Sequence, residues 1–167
     1  MMSKKEDLDE LYFRALDLQK DGDDLVAFSL FMQGSSLGDA GSQNAIGLAY
    51  DSGTGVEEDK NKAIAWFKKA WRTGKYTGYC LNVALTYAEI GRRRRAMYWW
   101  HKAIARGDGS AALSLAKFLL ESNRHQISNR ILGLLKMAAE CQQPWQISPD
   151  EREESQKLLE DLISKNS

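Results

Sequence analysis

Apolar residues along the chain fall repeatedly at i, i+3, i+4, i+7 and i+8, the stripe of an amphipathic helix that buries one face. The clearest copy is Ala63, Trp66, Phe67, Ala70 and Trp71. Ala27, Leu30, Phe31, Gly34 and Ser35 repeat it 36 residues upstream, and Ala96, Trp99, Trp100, Ala103 and Ile104 repeat it 33 downstream. Ile131, Leu134, Leu135, Ala138 and Ala139 follow a further 35 on. The fourth place is always Gly or Ala, which lets a neighbouring helix come close, so the pattern encodes helix packing rather than chemistry. Before each stripe runs a second repeated line, a small residue followed three places later by a large one: Ala15 and Leu18, Gly47 and Tyr50, Ala84 and Tyr87, Ala116 and Leu119. Leading and trailing helices therefore alternate.

Local signals place the boundaries. Asp21-Gly22-Asp23 ends the first leading helix and offers Asp23 as the next N-cap; Leu37-Gly38-Asp39 stops the first trailing helix; Asp59 caps the helix of Trp66. After Pro144, Ser148-Pro149-Asp150-Glu151 combines a capping hydroxyl, a first-turn proline and acids at the positive end of the dipole. The expected helix pairs cover about 5–37, 42–73, 76–106 and 109–141, with a capping helix at 149–165 bearing Leu158, Leu159 and Leu162. With 167 residues, 43% of them hydrophobic, one domain over 1–167 is expected.

The second pair carries more than packing positions. Gly47-x-x-Tyr50-x-x-Gly53-x-Gly55-Val56-x-x-Asp59-x-x-x-Ala63-x-x-Trp66-x-x-x-Ala70-x-x-x-Gly74 resembles a complete Sel1-like repeat, a relative of the tetratricopeptide repeat. The third pair lacks four loop residues, including Gly-x-Gly-Val, and is closer to a tetratricopeptide repeat; the first and fourth keep only the packing positions. The resemblance spans residues 39–107 as motif and about 8–141 as architecture. It implies an all-α, right-handed solenoid of four helix pairs plus the C-terminal capping helix. Leading helices would line a concave face, in a family whose members usually act as adaptors for other proteins.

The net charge of zero conceals an uneven distribution: residues 1–60 carry 13 acids and 5 bases, 61–136 carry 3 and 15, and 137–167 carry 7 and 3. A basic middle steers acidic partners or meets the chain's own acidic ends. The N-terminus has no apolar signal region, no stretch approaches the roughly 18 apolar residues of a membrane span, and Cys80 and Cys141 form no disulfide framework. A cytoplasmic protein is expected.

Candidate chemistry is sparse. Gly53-Thr54-Gly55 follows no strand and lacks the Gly-Lys-Ser/Thr of a phosphate loop, so it is read as an inter-helix turn. His101, His125, Cys80 and Cys141 sit 16 to 24 residues apart in sequence order, which matches no local zinc pairing. No activated nucleophile or paired carboxylate is present, so neither an enzyme nor a cofactor is expected.

Binding candidates fall in two groups. Arg92, Arg93, Arg94 and Arg95 sit at a helix N-terminus, where the dipole disfavours each exposed cation by about 0.3–1 kcal/mol. They are either solvated and offset by a neighbouring helix end or, with Tyr98, an anchor for an acidic partner; a nucleic-acid contact is the weaker alternative. The other group is a second apolar line on the leading helices. Leu81, Leu85 and Ala88 add it to a helix whose packing face is already supplied, and the resemblance turns this line toward the concave groove. Tyr12, Leu16, Asn44, Leu48, Leu113 and Lys117 are the matching places. Trp66, Phe67, Trp99 and Trp100 are expected in the core, and Trp71, Tyr76, Tyr79 and Tyr98 partly exposed. Leucines flooring a groove suit a helix or extended segment of another protein, unless they meet each other or the C-terminal helix.

The expected function is a non-catalytic protein-binding module, acting as a monomer or homodimer on a partner with an acidic surface and an apolar segment. Small bacterial Sel1-like proteins include immunity-type binders that neutralise a toxin or secreted effector, and scaffolds of signalling or envelope complexes. The first is favoured because the chain has no second domain to connect. A nucleic-acid-associated regulator working through Arg92–Arg95 is the remaining alternative.

Overall fold

The computed structural model describes residues 4–122 and 128–165. Nine helices lie among the described residues: α1 (Lys4–Lys20), α2 (Asp24–Ser36), α3 (Ala40–Ser52), α4 (Lys60–Gly74), α5 (Thr77–Glu89), α6 (Arg93–Ile104), α7 (Gly109–Ser122), α8 (Asn129–Glu140) and α9 (Pro149–Ser164). No strand occurs among those residues. The fold is an all-α solenoid of stacked helix pairs. Two compact units make up the chain, Met1–Arg92 and Arg93–Ser167.

In the first unit α1 packs on α2, α2 on α3, α3 on α4 and α4 on α5. Ala15, Ala27, Phe31, Ala45 and Ile46 form a buried cluster, with Tyr12, Leu16, Leu18, Phe28, Leu30, Tyr50 and Trp66 against it. Gly47 shows why the small residues recur: a Cβ there would lie 2.5 Å from the ring of Phe67 on α4. The helix ends are built as the turn chemistry requires. Asp39 caps α3 by accepting from the N–H groups of Gly41 and Ser42, and Asp59 caps α4 by accepting from Asn61 and Lys62 at 3.0 Å. Asp23 occupies the N-cap position of α2, but its side chain makes no cap bond there.

The Gly53–Asp59 loop is the turn expected of it. Gly53 ends α3 in the left-handed region, Thr54 N–H bonds to Ala49 O and Asp59 N–H to Tyr50 O. Lys60 fastens this loop. Its ammonium donates to Asp51 O at 2.6 Å and lies 2.9 Å from the Glu89 carboxylate of α5, 3.5 Å from that of Asp51 and 3.8 Å from that of Glu58. Burial pulls the Lys60 pKa down, but the Glu89 hydrogen bond and the three negative charges outweigh it and raise it above the ordinary lysine value.

In the second unit α6 packs on α7, α7 on α8, and α9 on α8 with a lighter contact to α7. Ala96, Trp100, Ala103, Leu115, Ile131 and Leu135 are buried. Asp108, itself buried, accepts the Ala111 N–H at 2.7 Å and so starts α7. Ser148 and Glu151 form a full capping box at α9.

Two aromatic expectations are corrected. Trp71 is 5% exposed, because the last place of the stripe turns inward. Trp66 and Trp99 are half-buried at the rim, where Lys69 lies 4.4 Å over the first ring and Lys102 4.8 Å over the second.

Candidate functional site

The groove positions of the first unit share one region of its leading helices. Leu48 on α3 and Leu85 on α5 are 47% and 45% exposed, although both helices are otherwise packed. Two polar ties between these helices bracket them: Asn82 Nδ2 donates to Asn44 Oδ1 at 2.8 Å, one turn before, and Thr86 Oγ1 donates to Asp51 Oδ1 at 3.0 Å, at the far side. Leu81 and Leu16 are half-buried, the latter against the core cluster. Asn44 therefore holds α5 in place rather than lying free, and the leucines are the exposed apolar element.

Tyr12 stands at one end of this surface beside α3, since a Cβ on Gly41 would meet its ring at 3.3 Å. Burial, and then the Asp39 carboxylate, raise the pKa of its hydroxyl. Tyr79 is raised by burial, then by Asp39, Tyr12 and Tyr76. Asp39 is thus shared by tyrosines from α1 and α5, with Tyr76 and Tyr79 edge to face at 5.4 Å. Tyr12 is an expected groove residue; Tyr76 and Tyr79 escaped assignment to it because the neighbour they share with Tyr12 is a capping residue that no apolar pattern marks.

The second unit departs from the expected open groove. Leu113 is only 2% exposed. On either side of it along α7, Ser110 Oγ donates to Glu151 Oε2 at 2.9 Å and Lys117 Nζ meets Glu154 Oε1 at 2.5 Å, both carboxylates belonging to α9. The C-terminal helix therefore engages this line: Leu113 is buried, and Lys117, its side chain still 42% exposed, is paired with Glu154. Burial raises the Glu151 pKa, but bonds from Ser148 and Ser110 and the charge of Lys117 prevail and hold it below its ordinary value. A depressed carboxylate stabilises the fold above its unfolded pKa and loses that contribution as pH falls through the folded value. Glu151→Gln is accordingly expected to lower the melting temperature at pH 6 and to converge with wild type below about pH 4, near and under the reference glutamate pKa. Thermal unfolding of both proteins between pH 3 and 7 checks this.

The basic candidates separate. Arg92 closes the turn after α5, its N–H bonded to Tyr87 O, while Arg93, Arg94 and Arg95 form the first turn of α6. All four are exposed, as is Tyr98. The Arg93 guanidinium lies 4.9 Å over the Phe118 ring of α7, so this cation is partly absorbed by packing. Farther along α6, an Arg130 Nη of α8 is 2.7 Å from His101 Nε2. Burial, then the Arg130 charge, lower the His101 pKa, leaving a neutral ring that accepts from the guanidinium. His125 lies outside the described residues. Among the described residues no three His, Cys, Asp or Glu side chains are placed to hold a metal ion, and no helix is long and apolar enough to cross a membrane.

The repeat geometry agrees with comparison to known families: the profile described as Sel1 repeat matches residues 40–70 and 91–108. Those two stretches match the Sel1 repeat. The crystal structure of a Sel1 repeat protein from Oxalobacter formigenes superposes with a TM-score of 0.63 at 22% identity, over 77% of this chain and 54% of that one. A protective antigen present in uropathogenic Escherichia coli strains, displaying an SLR fold, gives a TM-score of 0.57 at 24% identity, over 68% of this chain and 25% of that one. The chain thus spans about half the length of the first and a quarter of the second. No curated protein matches it. These likenesses concern the fold. Together with the surface described, they give a helical repeat module.

Proposed function

We propose that the first unit binds a helix or extended segment of another protein across α3 and α5. The observation that carries this reading is the pair Leu48 and Leu85, on two helices joined by two polar ties and each exposed over nearly half its surface. Apolar anchors on a rigid frame supply affinity, because burying them costs no reorganisation of the helices beneath. Leu16, Leu81 and Tyr12 extend the surface toward α1, and the Asp39 tyrosines supply its polar end. In the cell the module would act in the cytoplasm as an immunity-type binder, occupying one surface of a toxin or secreted effector. On the second unit, taken by itself, Arg94, Arg95 and Tyr98 would offer a separate contact for an acidic surface.

The test is partner capture from the source cell with wild type beside a Leu48→Glu, Leu85→Glu variant. Both side chains are open enough that the variant is expected to keep the wild-type melting temperature within a few degrees. One stoichiometric protein held by wild type and lost from the folded variant supports the reading, and its identity decides between neutralised toxin and scaffold client. Equal capture by both proteins removes the α3–α5 surface from consideration.

A further inference from the structure

Lateral stacking in the first unit follows one rule at two places. Where α2 meets α3, Gly34 abuts Ser42 and Phe28 lies edge to face on Tyr50 at 5.7 Å. Where α4 meets α5, Gly74 abuts Tyr79 and Lys68 donates to the Tyr87 hydroxyl at 2.7 Å. Between these points Ile46 and Val83 are fully buried. Aligning the small residues Gly47 and Ala84 with Ala15 of α1 puts Glu10 where Ser42 and Tyr79 stand, Arg14 where Ile46 and Val83 stand, and Leu18 where Tyr50 and Tyr87 stand.

Those three α1 residues, with Phe13, Asp17 and Asp21, line an open hollow of about 480 Å³. The position that a preceding trailing helix fills for α3 and α5 is therefore a formed surface on α1, with Phe13 61% exposed in it. Three carboxylates and one guanidinium border it, and Lys20 pairs with Asp17 at 2.9 Å beside it. By contrast, the outer positions of α9 at the other end of the chain are mostly charged, the solvated form expected of a capping helix.

We propose that this face of α1 docks a basic amphipathic helix from another protein, stacked on α1 as α4 is stacked on α5. The partner's chemistry is read from charge: Glu10, Asp17 and Asp21 border the slot against the single guanidinium of Arg14, within residues 1–60, where acids outnumber bases 13 to 5. An apolar stripe covers Phe13 and Leu18, and flanking lysines meet Glu10, Asp17 and Asp21. This surface is separate from Leu48 and Leu85 and does not rest on the function proposed above.

The experiment titrates the full chain with a labelled peptide of residues 59–75 and with a second peptide in which Lys62, Lys68 and Lys69 are replaced by Glu. Fluorescence anisotropy and mass by light scattering are the readouts. Wild type is expected to bind the basic peptide at least tenfold more tightly than the acidic one. Phe13→Ser and Glu10→Lys should each weaken binding about tenfold, and Leu48→Glu, Leu85→Glu should leave it unchanged. Absence of binding up to about 1 mM overturns the proposal, as does equal binding by Phe13→Ser. A doubled mass of the free chain that Phe13→Ser abolishes also overturns it, since the occupant is then a second copy.

Discussion

Phe67→Ala is expected to destabilise the first unit by about 3–5 kcal/mol, the range for removing a buried aromatic ring whose space does not refill. Phe67 has no exposed surface, and its ring lies against Gly47 in the place a Cβ would take. The cavity is bordered by helix backbone, which cannot move inward without breaking the α3–α4 contact, so little relaxation is available. Urea unfolding followed by circular dichroism gives the number. A loss below about 1 kcal/mol would mean that the site collapses and that the Gly47–Phe67 fit does not organise the pair. The reciprocal change, Gly47→Val, attacks the same contact from the other side, so the two losses should be strongly non-additive.

Gly55→Ala should cost about 2–4 kcal/mol, combining a left-handed backbone penalty with displacement of a neighbouring helix end. Gly55 has φ of +71°, and a Cβ on it would lie 2.6 Å from the backbone oxygen of Asp24, the first residue of α2. Gly53 provides the control: its φ is +74°, but the nearest atom to an added Cβ is 3.5 Å away on the Glu58 side chain. Gly53→Ala therefore carries the conformational penalty alone, about 1–2 kcal/mol. Equal melting temperatures for the two variants would show that the Asp24 contact is soft.

These two residues also mark what the sequence makes legible. The stripe of Phe67 and the Gly-x-Gly-Val loop are local patterns, and helix boundaries, the Asp59 cap and the Ser148 capping box follow from neighbours a few residues away. The candidate site depends on partners distant in the chain. Asn44 looks free until Asn82 is brought beside it, and Lys117 looks like a groove cation until Glu154 approaches from α9. Leu113 and Leu48 occupy matching places by periodicity, yet one is buried and the other half-exposed. Periodicity assigns a side to each residue but does not say what covers that side. Trp71 shows the same limit in reverse: expected to be partly exposed although it closes the stripe, it is buried as its phase on the helix dictates.

Lys60 carries a consequence for how the first unit comes apart. In a repeat array, stability is the sum of each pair's own stability and its coupling to the next pair. Lys60 belongs to the second pair, yet its ammonium is held at once by Asp51 in the last turn of α3 and by Glu89 on the following leading helix. Opening α5 alone leaves this cation short of a partner, and opening the end of α3 alone loosens its hold on α5. The tie makes α3, α4 and α5 melt as a single cooperative block rather than peel away helix by helix, so hydrogen exchange along these three helices should share one opening free energy.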